Sequence, residues 1–222
     1  MAAKLRGKVD ISVVAAGLVA VVGVLGFVGL MVMARAASPY AFDTQILLAL
    51  REAGNPAVPL GPYWLQNAVR DITSLGSTTA VFLITAAAAI YLLLIRQVGT
   101  ALFLFFVVGF GQIILSLLKN AVGRARPDIV SHLDTVSTLS FPSGHAMMSA
   151  VTYLTLSLLA ARFLPGRAAK IYVLALGVGA TFLIGISRLY LGVHWPSDVM
   201  AGWCAGFAWV MLCWLAARFA RN

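Results

Sequence analysis

The chain has 222 residues, of which 61% are apolar and 10% charged, with a mean hydropathy of +0.96; soluble domains carry about a quarter of charged residues, so a soluble globular protein is excluded. Six apolar stretches of about 20 residues, each able to cross roughly 30 Å of hydrocarbon, use about 120 residues and leave only short connections. The net charge of +9 then reads as the basic loops of a multi-pass membrane protein, with no nucleic-acid partner implied.

The expected fold is all-α: one integral-membrane domain over residues 1–222 with six transmembrane helices. Hydropathy places the crossings at roughly Ile11 to Met33, Thr78 to Ile95, Thr100 to Leu118, Ala146 to Ala161, Ala169 to Ile186 and Val199 to Ala217. The first follows Lys4, Arg6 and Lys8 and precedes Ala34-Arg35-Ala36, a pattern close to a cleavable leader. Its apolar run of about 23 residues exceeds the 7 to 15 of a signal peptide, which favours a retained anchor.

Between Ala34 and Asp71 lies the longest connection. Phe42, Ile46, Ala49, Leu50 and Ala53 recur at helical spacing there, against polar Asp43, Gln45, Arg51 and Glu52. An interfacial helix is expected, serving as a structural cap or as a lid. Gly54, Pro56, Pro59, Gly61 and Pro62 break the chain after it, and Tyr63 and Trp64 suit the headgroup belt.

An even number of crossings puts both termini on one side, expected to be the cytoplasmic side. That side then holds nine Lys and Arg, namely Lys4, Arg6, Lys8, Arg96, Arg162, Arg167, Lys170, Arg218 and Arg221, and the outer side seven. The bias is weak because the outer side keeps a local excess: Lys119, Arg124 and Arg126 after the third crossing and Arg188 at the end of the fifth. Two such cations brought to about 6 Å at an effective dielectric near 20 repel by roughly 3 kcal/mol, a cost that an anionic ligand removes. Snorkelling to headgroups explains Arg35, Arg96, Arg162 and Arg218, but a cluster confined to one interface points to an anion site.

Three short sequences fall at outer membrane ends. The first is Lys119-Asn-Ala-Val-Gly-Arg-Ala-Arg126-Pro127. In the second, Pro142-Ser143-Gly144-His145, Ser143 suits an N-cap and Gly144 and His145 open the fourth crossing with free backbone N–H groups, a cradle for phosphate. His145 is placed to donate a proton to a leaving group; a capped helix start with a surface histidine is the plainer alternative. In the third, Ser187-Arg188-Leu-Tyr-Leu-Gly-Val-His194-Trp-Pro-Ser-Asp198, Pro196 suits the first turn of the sixth crossing. Asp198 then lies close to His194, able to hold one ring N–H and leave the other nitrogen as a nucleophile. The plainer alternative is an Asp complementing the helix dipole beside an interfacial histidine. In either reading His194 is expected to be exposed at the interface and to contribute little packing, so that His194→Ala abolishes turnover with folding nearly intact.

No Glu-x-x-His pair or Asp cluster with metal-ligand spacing is present, and fixed cations can stabilise a transferring phosphoryl group without a metal. No cofactor is expected. Cys204 and Cys213 are nine apart in one apolar segment, about 13 Å along a helix, beyond disulfide reach, and read as core fillers. Gly177, Gly179 and Ala180 read as small residues for close helix packing. His132 sits in a polar loop and is given no role.

At these residues the sequence resembles the type 2 phosphatidate phosphatase (PAP2) superfamily, whose signature is Lys-x6-Arg-Pro, Pro-Ser-Gly-His and Ser-Arg-x5-His-x3-Asp. Every signature position is matched between Lys119 and Asp198, about a third of the chain. The six crossings resemble the bacterial membrane members rather than the soluble vanadate haloperoxidases and acid phosphatases with the same site. The resemblance implies that His194 attacks phosphorus to form a phosphohistidine, Asp198 orients His194, and His145 protonates the leaving oxygen and later activates water. It implies that Lys119, Arg126, Ser143, Gly144 and Arg188 hold the phosphate, with Arg124 outside the signature as a helper at best. Asp71 to Gly76 is similar to a segment of bacterial members and is expected to be structural.

The expected activity is hydrolysis of a phosphomonoester or diphosphate of a membrane lipid, of the phosphatidate, phosphatidylglycerol phosphate, undecaprenyl diphosphate or lipid A type. The expected location is the bacterial inner membrane, with the site facing the periplasm or exterior. Phosphotransfer to another lipid uses the same residues and stays open. A transporter would need ionisable groups at the midplane, and the crossings are nearly free of them; a non-catalytic lipid-binding relative is expected to have lost at least one of His145, His194 and Asp198, and all three are present. Oligomeric state is not legible.

Overall fold

The computed structural model describes residues 10–36 and 39–220; Lys4, Arg6, Lys8 and Arg221 lie outside the described residues. The elements in chain order are α1 (Ile11–Ala34), α2 (Ala41–Ala49), β1 (Arg51–Glu52), β2 (Asn55–Pro59), α3 (Tyr63–Ser74), α4 (Thr78–Leu94), α5 (Val98–Val122) and α6 (Gly144–Ser149). A π-helical turn (Ala150–Leu154) joins α6 to α7 (Thr155–Phe163), and α8 (Arg167–Tyr190) and α9 (Pro196–Phe219) follow. α1, α5, α6 continued through α7, α8 and α9 are each long and apolar enough to cross a membrane, and α3 with α4, bent by 50°, makes a sixth.

Local sequence explains where the helices start. The Asp10 carboxylate accepts the Ser12 N–H at 2.9 Å, Ser77 Oγ accepts from Ala80 N–H at 3.2 Å, and Pro196 fills the first position of α9. The crossings expected from hydropathy are all present, with ends that differ by a few residues because polar residues ride on the last turns. α5 runs to Val122 and α8 to Tyr190, so Lys119 and Arg188 stand on helical turns instead of in loops. At the opposite end of the bundle Arg218 pairs with Asp10, which joins the start of α1 to the end of α9.

The core is apolar, built on Leu104, Val107, Met147, Val151, Leu154 and Val210, while Leu18, Val22, Leu25 and Phe82 face outward as lipid-contacting side chains do. Helices approach closely where glycine allows it. An added Cβ at Gly202 of α9 would lie 2.7 Å from the Ser143 carbonyl oxygen, and one at Gly206 would lie 2.6 Å from Ala150 Cβ, so this Gly-x-x-x-Gly pair sets the α6–α9 distance. Gly177 likewise sits against Tyr153 and Ser157, but Gly179 has nothing within 4 Å and is not a packing glycine.

Two features of the 34–71 connection depart from expectation. α2 is present, but Asp43 and Leu47 are its buried residues while Ile46 is 41% exposed. Ile46 and Ala49 of the expected apolar face point outward, while Leu47 and the Asp43 carboxylate point inward, the carboxylate toward a buried cation. The breaker-rich stretch after it is no loose loop but a short antiparallel hairpin, β1 against β2, turned at Gly54 with φ of 79°. Its Arg51 is buried, donating to the Tyr190 carbonyl at the end of α8 at 3.0 Å.

Candidate active site

α5 ends because Gly123 takes the left-handed conformation, φ 68°, with its N–H on the Lys119 carbonyl at 3.1 Å. The chain then leaves the helix, and Arg124 and Arg126, two residues apart, find different partners. Arg126 reaches the cavity, donating to the Thr138 carbonyl at 2.8 Å and to the Val193 carbonyl at 2.6 Å. Lys119 Nζ, on the last turn of α5, donates to the Leu139 carbonyl at 2.5 Å. Burial and then the charge of Arg188 push Arg126 down to about 10, the mark of a crowded cationic cluster that an anion would relieve.

Ser143 caps α6, its Oγ 3.5 Å from the Ala146 N–H, and its own N–H donates to the Asp198 carbonyl at 3.0 Å. The phosphate cradle expected at Gly144 and His145 is thereby tied to the start of α9.

His194 is only 2% exposed, so the expectation of an exposed interfacial histidine that contributes little packing is overturned. The ring fills a closed space between the Arg126, Ser140 and Asp198 side chains. Arg126 Nη1 lies 3.2 Å from His194 Nε2; a guanidinium can only donate, so Nε2 carries the lone pair and Nδ1 the proton. Nδ1 faces Asp198 Oδ2 at 3.6 Å and Ser140 Oγ at 3.4 Å. Ser140 Oγ in turn donates to Asp198 Oδ2 at 2.5 Å, and the Trp195 N–H donates to the same oxygen at 3.0 Å. Burial pushes His194 down to about 4 against the opposing pull of Asp198. The imidazole is thus neutral at physiological pH with its free nitrogen aimed at the cations, the state a nucleophile needs.

Arg188 is 1% exposed, held by Asp134 Oδ2 at 2.7 Å and Thr73 Oγ1 at 2.9 Å. Burial raises the Asp134 carboxyl, but the Arg188 hydrogen bond and charge outweigh it and hold the group below its usual value. Thr73 belongs to the 71–76 segment, whose Gly76 leaves room for His145: a Cβ there would lie 3.1 Å from the ring and 2.4 Å from Ile184. The segment is structural, as expected, and what it supports is the site.

Lys119, Arg126, Gly144, His145, Arg188 and His194 line one cavity of about 300 Å³. Ser143 and Asp198 stand behind it, so all eight sequence candidates come together at one end of the bundle. Thr78, Gln112 and Met148 of its wall are shared with an apolar groove of about 300 Å³ lined by Val81, Phe82, Phe105, Val108 and Gly109. His132 bonds the Pro127 carbonyl at 2.6 Å and stays outside the cavity. Among the described residues no three His, Cys, Asp or Glu side chains are grouped to hold a metal.

Sequence reasoning missed Asp43, Thr73, Asp134, Thr138, Ser140 and Ser197. Ser197 lies inside the third motif, beside Asp198, and Ser140 two residues before the second, so these two stood next to residues the sequence had singled out. It also underrated Arg124, which donates to Asp198 Oδ1 at 2.6 Å.

The PAP2 superfamily matches residues 100–221. Phosphatidylglycerophosphatase B of Bacillus subtilis is 32% identical over 169 residues, 75% of this chain and 82% of that protein. Lipid A 1-phosphatase of Rhizobium johnstonii is 36% identical over 128 residues, 54% of this chain and 48% of that protein. The crystal structure of a transmembrane PAP2 type phosphatidylglycerolphosphate phosphatase from Bacillus subtilis superposes with a TM-score of 0.77 at 26% identity, covering 90% of this chain and 96% of the other.

Proposed function

The chain belongs to the PAP2 superfamily and is a multi-pass membrane protein, and from that premise we propose that it is a phosphoric ester hydrolase acting on a lipid phosphate. The observation that carries this reading is the shared wall: a cationic cavity and an apolar groove between α4 and α5 have Thr78, Gln112 and Met148 in common. A headgroup phosphate fits the first and a hydrocarbon chain the second.

The reaction follows from the side chains. Lys119, Arg126 and Arg188 with the backbone N–H groups at the start of α6 hold the phosphate oxygens and stabilise charge on them in the transition state. A bound phosphate takes over the Arg126 hydrogen bond, which frees His194 Nε2 to attack phosphorus. The P–N bond forms as the P–O bond to the lipid breaks, and His145, held in its charged form by the negative charge of the bound phosphate, gives its proton to the departing oxygen. Asp198, partly through Ser140, stabilises the Nδ1–H side of the charged imidazole. Water then loses a proton to His145 and attacks phosphorus, the P–N bond breaks, and inorganic phosphate leaves with both histidines restored.

The proposed orientation has the termini in the cytoplasm and the active site at the outer face of a bacterial inner membrane, supported by the excess of nine Lys and Arg to seven on the cytoplasmic side. The test is phosphate release by purified protein in detergent and EDTA from phosphatidate, phosphatidylglycerol phosphate, undecaprenyl diphosphate and a lipid A phosphate, with His194→Gln alongside. Release that the substitution abolishes is expected, whereas an equally active His194→Gln protein sinks the mechanism. Release that requires a second, acceptor lipid would instead establish phosphotransfer.

A further inference from the structure

Asp43 is 0% exposed on the connection between the first two crossings, far in sequence from every motif. Its Oδ2 accepts from Arg124 Nη2 at 2.9 Å and from Ser197 Oγ at 2.6 Å, and its Oδ1 from the Ser197 N–H at 2.8 Å. Arg124 Nη1 meanwhile donates to Asp198 Oδ1 at 2.6 Å, and the guanidinium lies over the Trp195 ring at 5.5 Å. A buried chain of contacts thus runs Asp43, Arg124, Asp198, His194.

Charge decides what this chain does. Asp198 must stabilise positive charge on the His194 ring while phosphorus is attached, yet Arg124 bonded to it alone would neutralise that carboxylate. Asp43 supplies a second carboxylate to the same guanidinium, so the cluster of two anions and one cation keeps a net negative charge for the imidazole. Arg126 and Arg188 also face the ring, and their charges disfavour a cationic imidazole. We propose that Asp43 and Arg124 are positioning residues of the catalytic His194–Asp198 pair: Arg124 orients Asp198, and Asp43, carried by α2, keeps Arg124 from cancelling its charge. Through this contact α2 is coupled to the nucleophile and is more than a cap. The inference rests on the assignment of His194 as nucleophile.

The test is a double-mutant cycle of Asp43→Asn and Arg124→Gln with dioctanoyl phosphatidate in detergent micelles, kcat and KM taken separately per folded protein, and His194→Gln as control. Asp43→Asn keeps the shape and the acceptor for the Ser197 N–H, but its amide nitrogen cannot accept from Arg124 or from the Ser197 hydroxyl, and it removes the negative charge while leaving the cation. It is expected to lower kcat by about ten- to a hundredfold, the range seen when a histidine's orienting partner is lost, with KM within about twofold. In the Arg124→Gln background the same Asp43→Asn change is expected to alter kcat by less than about twofold, because Asp43 acts through the guanidinium. Equal losses in both backgrounds, or an unchanged kcat in Asp43→Asn, overturn the proposal while an inactive His194→Gln leaves the nucleophile assignment standing. If Asp43→Asn alone does not fold, the comparison within the Arg124→Gln background decides. An active His194→Gln, or a wild type that does not cleave this lipid, refutes the underlying reading instead.

Discussion

Gly202→Ala adds one methyl group at the contact that holds the two halves of the site together. Its Cβ would sit 2.7 Å from the Ser143 carbonyl oxygen, 2.9 Å from Ala146 Cβ and 3.0 Å from the Met147 nitrogen, where ordinary contact begins at 3.4 Å. Two of these neighbours are backbone atoms and cannot swing aside, so α6 and α9 must part by about 0.7 Å, from 3.4 minus 2.7. Overpacking of this kind costs about 1–3 kcal/mol. The same shift stretches the Ser143 N–H bond to the Asp198 carbonyl, 3.0 Å, and moves His145 away from His194. Because a 1 Å misplacement costs on the order of a hundredfold, a loss of about tenfold or more in kcat/KM is expected. Gly206→Ala, one turn farther from the site, should destabilise comparably, its Cβ being 2.6 Å from Ala150 Cβ, with a smaller catalytic loss. Gly179→Ala, with nothing within 4 Å, should change neither. Thermal unfolding in detergent and kcat/KM for all three test this, and a Gly202→Ala protein with wild-type stability and activity refutes the packing argument.

His194 is held down to about 4, below the ordinary 6.5. The unfolded chain therefore takes up this proton first, and the fold loses stability as pH falls between those two values while the nucleophile stays neutral above about pH 5. A histidine NMR titration in detergent, assigned with His194→Gln, measures this directly, and a midpoint near 6.5 would contradict it. Gly109 lines the apolar groove with open space above it, so Gly109→Phe should raise KM about tenfold for a long-chain lipid phosphate and leave a short-chain analogue unaffected. Equal effects on both chain lengths argue against the groove as the tail site. Added Mg²⁺ or EDTA should leave kcat unchanged, since Lys119, Arg126 and Arg188 already oppose a further cation in the cavity; dependence on a divalent ion would overturn the metal-free reading.

The sequence by itself determined the membrane class, the number of crossings and the gathering of three motifs at one end. Crossings alternate direction, so residues at the ends of the third and fifth and the starts of the fourth and sixth share a face whatever the packing. Motif chemistry then supplied Lys119, Arg126, His145, Arg188, His194 and Asp198 without coordinates. Tertiary structure alone decided which side chain stands behind which. Asp43 reads as the polar face of an amphipathic helix, and only the approach of Arg124, 81 residues away, makes the carboxylate the side that is buried. His194 reads as an exposed interfacial residue, and the 124–140 and 193–198 segments close over it. The functional weight of Gly202 over Gly179 has no signal in local composition, because a glycine matters to packing only when another helix approaches it. Hydropathy records the preference of each segment for lipid or water; the pairing of buried charges depends on contacts between segments distant in sequence.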